Sequence, residues 1–169
     1  MASELPPFEP HALLGSLDRA KVTYIVIGAF ARVIHGAEEV TDGIDIVPSQ
    51  RDENLRRLQV ALEALEARRA DRKTLALDPE ALRREKVLAL ATEYGELKIV
   101  LEPAGTRGGY DDLRRHASRE PLGKGVRPSV ASVGDLARML AALGREQDLP
   151  HVHELRQLRE LERGLTWER

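Results

Sequence analysis

The chain is short, nearly neutral and free of cysteine. Its 169 residues suit one domain, 42% of them are hydrophobic, and 26 Lys and Arg stand against 28 Asp and Glu for a net charge of −2. Without cysteine, the protein has no disulfides, thiolate metal sites or cysteine nucleophiles. The charge balance argues against general DNA binding but leaves room for a local basic patch. No apolar run reaches membrane-spanning length, so we expect a soluble, cytoplasmic protein without a membrane partner.

The first half of the chain predicts a helix, two strands and further helices in alternation. Residues 1–10 are Pro-rich and expected to be flexible, and a helix is predicted over 11–20. The β-branched run "VTYIVIG" predicts a buried strand that closes at Gly28, followed by a helix that ends at Gly36. The strand "GIDIV" comes next. Ser49 with Asp52 three residues later resembles a capping box, and predicts a helix with the apolar stripe Leu55, Leu58, Leu62 and Leu65.

The second half predicts a hairpin and a helical end. A short helix is predicted over 79–84, then two strands in "KVLALATEYGELKIVLE" joined near Gly95, and a short helix over 110–117. Ser132 with Asp135 at the third position predicts a helix start, and Asp148 is expected to cap the last helix. The two apolar stripes are Val133, Leu136, Leu140 and Leu143, and then Val152, Leu155, Leu158 and Leu161.

These elements predict an α/β (α+β) fold. Residues 11–128 would form a domain with a mixed β-sheet flanked by helices, and residues 129–169 a C-terminal helical extension packed on the same core.

A carboxylate stands inside the apolar second strand of "TDGIDIVPSQ". Side chains alternate along a strand, so Gly43 and Asp45 point to the same face. A strand that binds a metal would be expected to carry a carboxylate at both positions. Asp45 alone also fits a structural role, paired with an Arg or with Lys98.

The stretch "YIVIGAFARVIHGAEEVTDGIDIVPSQRDENLRRLQVAL" resembles the nucleotidyltransferase superfamily of the DNA polymerase beta type, above all the small bacterial members allied to toxin–antitoxin systems. Their pattern is a strand, a Gly-Gly or Gly-Ser turn into a helix, then His-Gly, Thr and Asp-x-Asp on the next strand. "TEYGELKIV" is similar to the later strand with the third carboxylate, and "SVGDLARMLAALGREQDLP" to the C-terminal helix.

The resemblance implies a nucleotidyltransferase-like fold and transfer of a nucleoside monophosphate from a triphosphate to a protein, RNA or small molecule. In such enzymes carboxylates on neighbouring strands hold two Mg²⁺ ions, and the Gly turn lets backbone amides approach the phosphates. By the same resemblance, Gly28 and Ala29 form the nucleotide-binding turn, and Arg145 and Asp148 flank the nucleotide from the C-terminal side. Each has a plainer interpretation: Gly28 as a strand-end turn, Asp148 as a helix cap and Arg145 as an ion-pair partner.

The departures from the pattern fall on the metal ligands. Asp45 is retained, but Gly43 stands at the first carboxylate position and Lys98 at the third. Asp42 could substitute only through a strand bulge, and Glu96 is displaced by two residues, about 6–7 Å along the strand. We therefore predict that Asp45 and Lys98 pair in the ancestral catalytic position and that no metal or other cofactor is bound.

Three functions remain open. The first is a degenerate nucleotidyltransferase that acts as a non-catalytic nucleotide-binding or regulatory module, with a protein partner of the toxin–antitoxin type. The second is an active transferase that uses Mg²⁺ and a nucleoside triphosphate. The third is unrelated small-molecule chemistry in the re-used cleft.

Overall fold

The structure, a computed structural model, describes residues 7–167, with side chains up to residue 164. Its helices are α1 (Pro10–Arg19), α2 (Gly28–Ile34), α3 (Asp52–Ala64), α4 (Pro79–Arg84), α5 (Tyr110–Leu113), α6 (Val133–Ala142) and α7 (Leu149–Trp167), with a 3₁₀ turn at Glu146–Asp148. Its strands are β1 (Tyr24–Ile27), β2 (Gly43–Pro48), β3 (Arg68–Arg69), β4 (Val87–Thr92), β5 (Gly95–Val100), β6 (Ser118–Arg119) and β7 (Ser129–Val130).

The strands form one mixed sheet in the order β3-β4-β5-β2-β1-β7-β6. β2 lies near its centre, antiparallel to β1 and parallel to β5. β4 and β5 form the predicted hairpin, with Thr92 opposite Gly95. β7 adds a parallel neighbour to β1 and so brings residues 129–130 of the predicted C-terminal extension into the sheet. The predicted mixed sheet flanked by helices is confirmed.

One face of the sheet is covered by helices and the other is open near β2, β4 and β5. Along β4 and β5 burial alternates strictly, with Leu88, Leu90, Leu97 and Ile99 in the core. In β2, Ile44 and Ile46 are buried, whereas Gly43 and Asp45 are half-buried on the opposite face. The alternating pattern of these strands therefore sends the polar residues of β2 and β5 to the same open surface.

The predicted capping box at Ser49 is wrong. Helix α3 begins after Arg51, with no side-chain cap, and Asp52 forms an ion pair with Arg83 of α4. The polar group that ties this helix start to the sheet is the buried Asn54. Its Oδ1 accepts from the Thr23 amide at 2.7 Å, and its Nδ2 donates to the carbonyls of Thr23 at 2.9 Å and Ser49 at 2.8 Å. One amide thereby joins α3 to the start of β1 and the end of β2.

The cap of α6 is confirmed, because the Ser132 hydroxyl accepts from the Asp135 amide at 3.1 Å. The two apolar stripes extend less far than predicted. Leu143 is the C-cap of α6 and is 48% exposed, and Leu161 of α7 is 65% exposed. Asp148 lies in the 3₁₀ turn and its side chain binds Arg145 rather than capping α7.

The predicted flexible N-terminus falls partly outside the described residues, which begin at position 7. The described part is tied to the core. The Phe8 ring packs edge-on against Phe30 with the centroids 5.7 Å apart, and the Glu9 amide donates to the Tyr94 carbonyl at 2.9 Å. Among the described helices, none combines the length and the apolar character needed to cross a bilayer.

The hydrogen bonds of Asn54 give a stability prediction. Asn54→Ala removes three hydrogen bonds, one of them to the carbonyl of the buried Ser49, so we expect it to lower the free energy of unfolding by about 2–4 kcal/mol in a denaturant titration. Arg56→Ala on the exposed side of the same helix is the control, with an expected change within about 0.5 kcal/mol. Similar losses in the two variants would contradict this role for Asn54.

Candidate functional site

Asp45 lies where the turn after β1 meets the open face of the sheet. It pairs in register with Ile27 of β1, and Gly28 follows directly as the first residue of α2. Gly28 has φ +73°, a conformation that glycine adopts far more readily than other residues. A Cβ atom at Gly28 would lie 2.5 Å from Oδ2 of Asp45. The close approach of turn and carboxylate thus requires glycine for two independent reasons.

Lys98 lies beside Asp45 on the neighbouring strand. The two residues are in register between the parallel strands β2 and β5, and so project from the same face. Both line a cavity of about 210 Å³. Its other walls include Glu96, Asp42 and the small side chains of Ala70, Ala89 and Ala91.

The predicted direct ion pair between Asp45 and Lys98 is not formed. Across residues 7–164, no ion pair with an N–O distance of 4.0 Å or less involves Asp45, and Lys98 is exposed to solvent. The pair nevertheless interacts over a longer distance. Burial raises the pKa of the Asp45 carboxyl above its ordinary value and Glu96 adds to that rise, while the charges of Lys98 and Arg32 oppose it.

Gly43 leaves no room for a carboxylate. A Cβ atom there would lie 2.7 Å from the carbonyl oxygen of Glu96 and 2.8 Å from its Cβ. Because the first of these atoms belongs to the backbone of β5, a side chain at this position would require the two strands to move apart. Gly43 therefore permits the close approach of β2 and β5, and aspartate cannot replace it without a backbone shift.

The acidic residues around Asp45 do not form a metal-binding cluster. In the described part of the chain, no three His, Asp or Glu side chains are grouped closely enough to hold a metal ion. Asp42 lines the same cavity from the bend before β2, and Glu96 lies opposite Gly43. With a lysine at the remaining position, these side chains do not fit the carboxylate cage that two Mg²⁺ ions need.

Arg32 is a site residue that the sequence interpretation missed. It lies one helical turn beyond Gly28 in α2, and its charge acts on Asp45. The side chain is 13% exposed and is held by a bidentate ion pair with Glu39, at 2.6 and 2.8 Å. The spacing of four residues between Gly28 and Arg32 was the only signal for it, because side chains one turn apart share a helix face.

Arg145 and Asp148 lie beside this region and not in the cavity. They form an ion pair at 2.5 Å in which Asp148 is 9% and Arg145 51% exposed. Asp148 is connected to the cleft indirectly, since its charge acts on Glu39, the partner of Arg32. Leu140, which belongs to the apolar stripe of α6, is buried in the core. Ala29 is the second residue of α2, directly after the turn.

Comparison with solved structures identifies the fold of this chain, whereas the sequence comparisons find no match. No family model and no curated protein matches the sequence. Two solved structures are similar over most of their lengths. The antibiotic-resistance factor ANT(2'')-Ia has a TM-score of 0.56 at 13% identity, over 88% of this chain and 79% of that one. TM1012 from Thermotoga maritima, assigned as a nucleotidyltransferase, has a TM-score of 0.50 at 16% identity, over 91% and 90%.

This chain has the nucleotidyltransferase fold. The fold that the sequence motifs implied is therefore confirmed. At identities of 13% and 16% the likeness concerns the fold alone.

The close approach at Gly28 predicts a steric coupling to Asp45. Gly28→Ala combines a positive φ with a clash, and we expect it to lower the free energy of unfolding by about 2–4 kcal/mol. Gly36→Ala is the matched control: it also has a positive φ, +105°, but no atom lies within 4 Å of the added Cβ. Its expected cost is about 1 kcal/mol.

The coupling is tested by repeating Gly28→Ala in an Asp45→Ala background. The second change removes the two closest atoms, so the excess cost over Gly36→Ala should shrink there. An unchanged excess in the double-mutant cycle would show that Asp45 is not the obstacle.

The raised pKa of Asp45 predicts a pH-dependent stability. The folded state favours the protonated carboxyl, so its contribution is fully present below the ordinary pKa of 3.8 and is lost as pH rises through the folded-state pKa. Asp45→Asn should therefore raise the melting temperature at pH 7, by about 2–4 °C for each 1 kcal/mol. The gain should fade as the pH approaches 4.

Asp42→Asn, an exposed carboxylate lining the same cavity, controls for the loss of one negative charge. If Asp45→Asn destabilised the protein at pH 7, the carboxylate would be held by attraction to Lys98 and Arg32 and not disfavoured by burial.

Proposed function

We propose that this protein is a degenerate nucleotidyltransferase that binds a nucleotide without metal-dependent catalysis. The observation that carries the proposal is the pairing of β2 with β5, which puts Lys98 in register beside Asp45. The motif resemblance assigns position 98 to the third carboxylate. An ammonium group there removes a ligand and repels a divalent cation at the same point.

The second missing ligand supports the same conclusion. Position 43 would have to supply a carboxylate, but its Cβ would meet the β5 backbone at 2.7 Å. The two departures differ in kind. Lys98 reverses the charge at the third carboxylate position, whereas the β5 backbone leaves no room for a side chain at position 43. A single reverse substitution at either position would therefore leave the site incomplete.

The exposed cation at the cleft suits a phosphate group directly. Lys98 is exposed and lines the cavity, whereas Arg32 is nearly buried and already neutralised by Glu39, although the charges of both cations act on Asp45. In a metal-dependent enzyme the divalent ions neutralise the nucleotide phosphates. Here, the ammonium group of Lys98 would serve that purpose, together with the backbone amides of the turn at Gly28 and Ala29. A protein partner of the toxin–antitoxin type, as the motif resemblance implies, would make the module regulatory.

An active transferase is the second candidate, and one observation favours it. Asp42 and Glu96 line the same cavity as Asp45, so carboxylates other than the expected ones are present. Incubation with Mg²⁺, labelled nucleoside triphosphates and cell extract tests this directly. Label transfer that Asp45→Ala abolishes would establish the active enzyme and refute the degenerate one.

Metal-independent nucleotide binding is the main test. We expect calorimetry to give the same ATP affinity, within about twofold, in Mg²⁺ and in EDTA, because protein cations replace the metal. Lys98→Gln should weaken binding about tenfold, which corresponds to about 1.4 kcal/mol.

Lys124→Gln, in the loop between β6 and β7, is the matched control and should leave the affinity unchanged. The proposal is refuted if none of the four common nucleoside triphosphates binds, or if binding occurs only with Mg²⁺.

A further inference from the structure

A second set of cations lies at the other end of the β1–β2 pair. Two adjoining cavities, of about 170 and 200 Å³, share Thr23 and Tyr110 as walls. Thr23 precedes β1, whereas Gly28 follows it. The four residues of β1 separate this region from the Asp45 cleft by about 13 Å along the strand. We call the joined cavities the Tyr110 groove.

Arginine dominates the charge of the Tyr110 groove. One cavity is lined by Arg119 and Arg127, and the other by Arg51, Arg57 and Arg114. Three carboxylates share these walls, those of Asp18, Glu53 and Asp111. The groove is therefore positive within a chain whose net charge is −2. This is the local basic patch that the overall composition left open.

The carboxylates are already engaged. Asp18 accepts a hydrogen bond from the Tyr24 hydroxyl at 2.9 Å, and Glu53 pairs with Arg57 at 2.7 Å. Asp111 lies 3.9 Å from Arg114. These contacts neutralise two of the five arginines.

The other three guanidinium groups, of Arg51, Arg119 and Arg127, are exposed. In residues 7–164 none of them has a side-chain hydrogen bond or an ion pair. Because they are spread over both cavities, they present separate anion contacts along the groove and not a single focused site.

Tyr110 lies between the two groups of arginines. It is the first residue of α5, is half-buried against the hydrophobic core, and lines both cavities. Arginines spaced along a groove with an aromatic ring between them form the arrangement that single-stranded nucleic acid requires. Guanidinium groups contact successive phosphates, and an unstacked base packs against the ring.

We infer that the Tyr110 groove binds single-stranded nucleic acid. The exposed arginines line two cavities, so they are too widely spaced to bind a single phosphate group together. An acidic peptide would satisfy the arginines but would make no particular use of the ring. A duplex holds its bases stacked inside, so it could not place one against Tyr110. The groove is separate from the Asp45 cleft, so this inference does not depend on nucleotide binding there.

Fluorescence anisotropy with the full chain and labelled mixed-sequence RNA and DNA oligonucleotides of about 12 residues tests the inference. We expect at least one of the two single strands to bind more tightly than the duplex of the same length. The double variant Arg119→Gln/Arg127→Gln should weaken binding about tenfold. It should also reduce the slope of log K against log salt by about 1.4, since each single-strand phosphate contact contributes about 0.7.

Matched variants separate the groove from general charge effects. Arg68→Gln/Arg72→Gln removes the same charge at β3 and its following turn, on the opposite edge of the sheet, and should change affinity less than twofold. Tyr110→Phe should bind like the parent protein and Tyr110→Leu more weakly, with melting temperatures confirming that both are folded.

Three results would overturn the inference. The first is no binding of either single strand at low salt. The second is an equal loss of affinity in the two double-arginine variants. The third is competition by a polyglutamate peptide as strong as that by unlabelled oligonucleotide of equal charge, which would identify an acidic protein surface as the ligand.

Discussion

The position of β2 between β1 and β5 is the constraint on which the cleft depends. The antiparallel pairing with β1 puts Asp45 next to the turn at Gly28, and the parallel pairing with β5 puts it next to Lys98. Neither contact could be altered alone, because a slip of one residue would exchange the buried Ile44 and Ile46 for the half-buried Gly43 and Asp45. The hydrophobic core thus fixes the register, and the register fixes the chemistry of the cleft.

The same register explains why loss of metal ligands is compatible with a well-packed protein. Gly43 lets the backbones of β2 and β5 approach closely, and Lys98 points into solvent beyond the strand. Asp45 keeps its place against Gly28 although burial disfavours its charge. A carboxylate that burial disfavours, and that makes no direct ion pair, lowers the stability of the folded protein at neutral pH.

The sequence predicted the parts of the fold that follow from local periodicity. The alternation in "GIDIV" and "GELKIV", the hairpin at Gly95 and the cap at Ser132 all depend on neighbouring residues, and all are confirmed. The predictions failed or were absent where the structure depends on contacts between residues far apart in the sequence. Asn54 and not Ser49 ties down α3, because its partner Thr23 is 31 positions away. The two-residue strands β3, β6 and β7 exist only through pairing with longer or neighbouring strands, so their own sequences carry no clear signal.

In the cleft too, residues that belong to a local sequence motif were predicted, whereas a residue whose role depends on a contact outside its own helix was not. The motif pattern identified Asp45, Lys98, Gly28 and Gly43, and their placement on one cleft follows from strand register alone.

Arg32 was missed because its role depends on Glu39, which lies beyond α2 and restrains the guanidinium from the side facing α7. The acidic Glu39 in turn interacts with His151 of α7 at 3.8 Å. Helix α7, which follows the segment that resembles the family's C-terminal helix, therefore influences the cleft through the charges of Glu39 and Arg32. Arg145 and Asp148 form an ion pair with each other, and Asp148 acts on Glu39 through its charge.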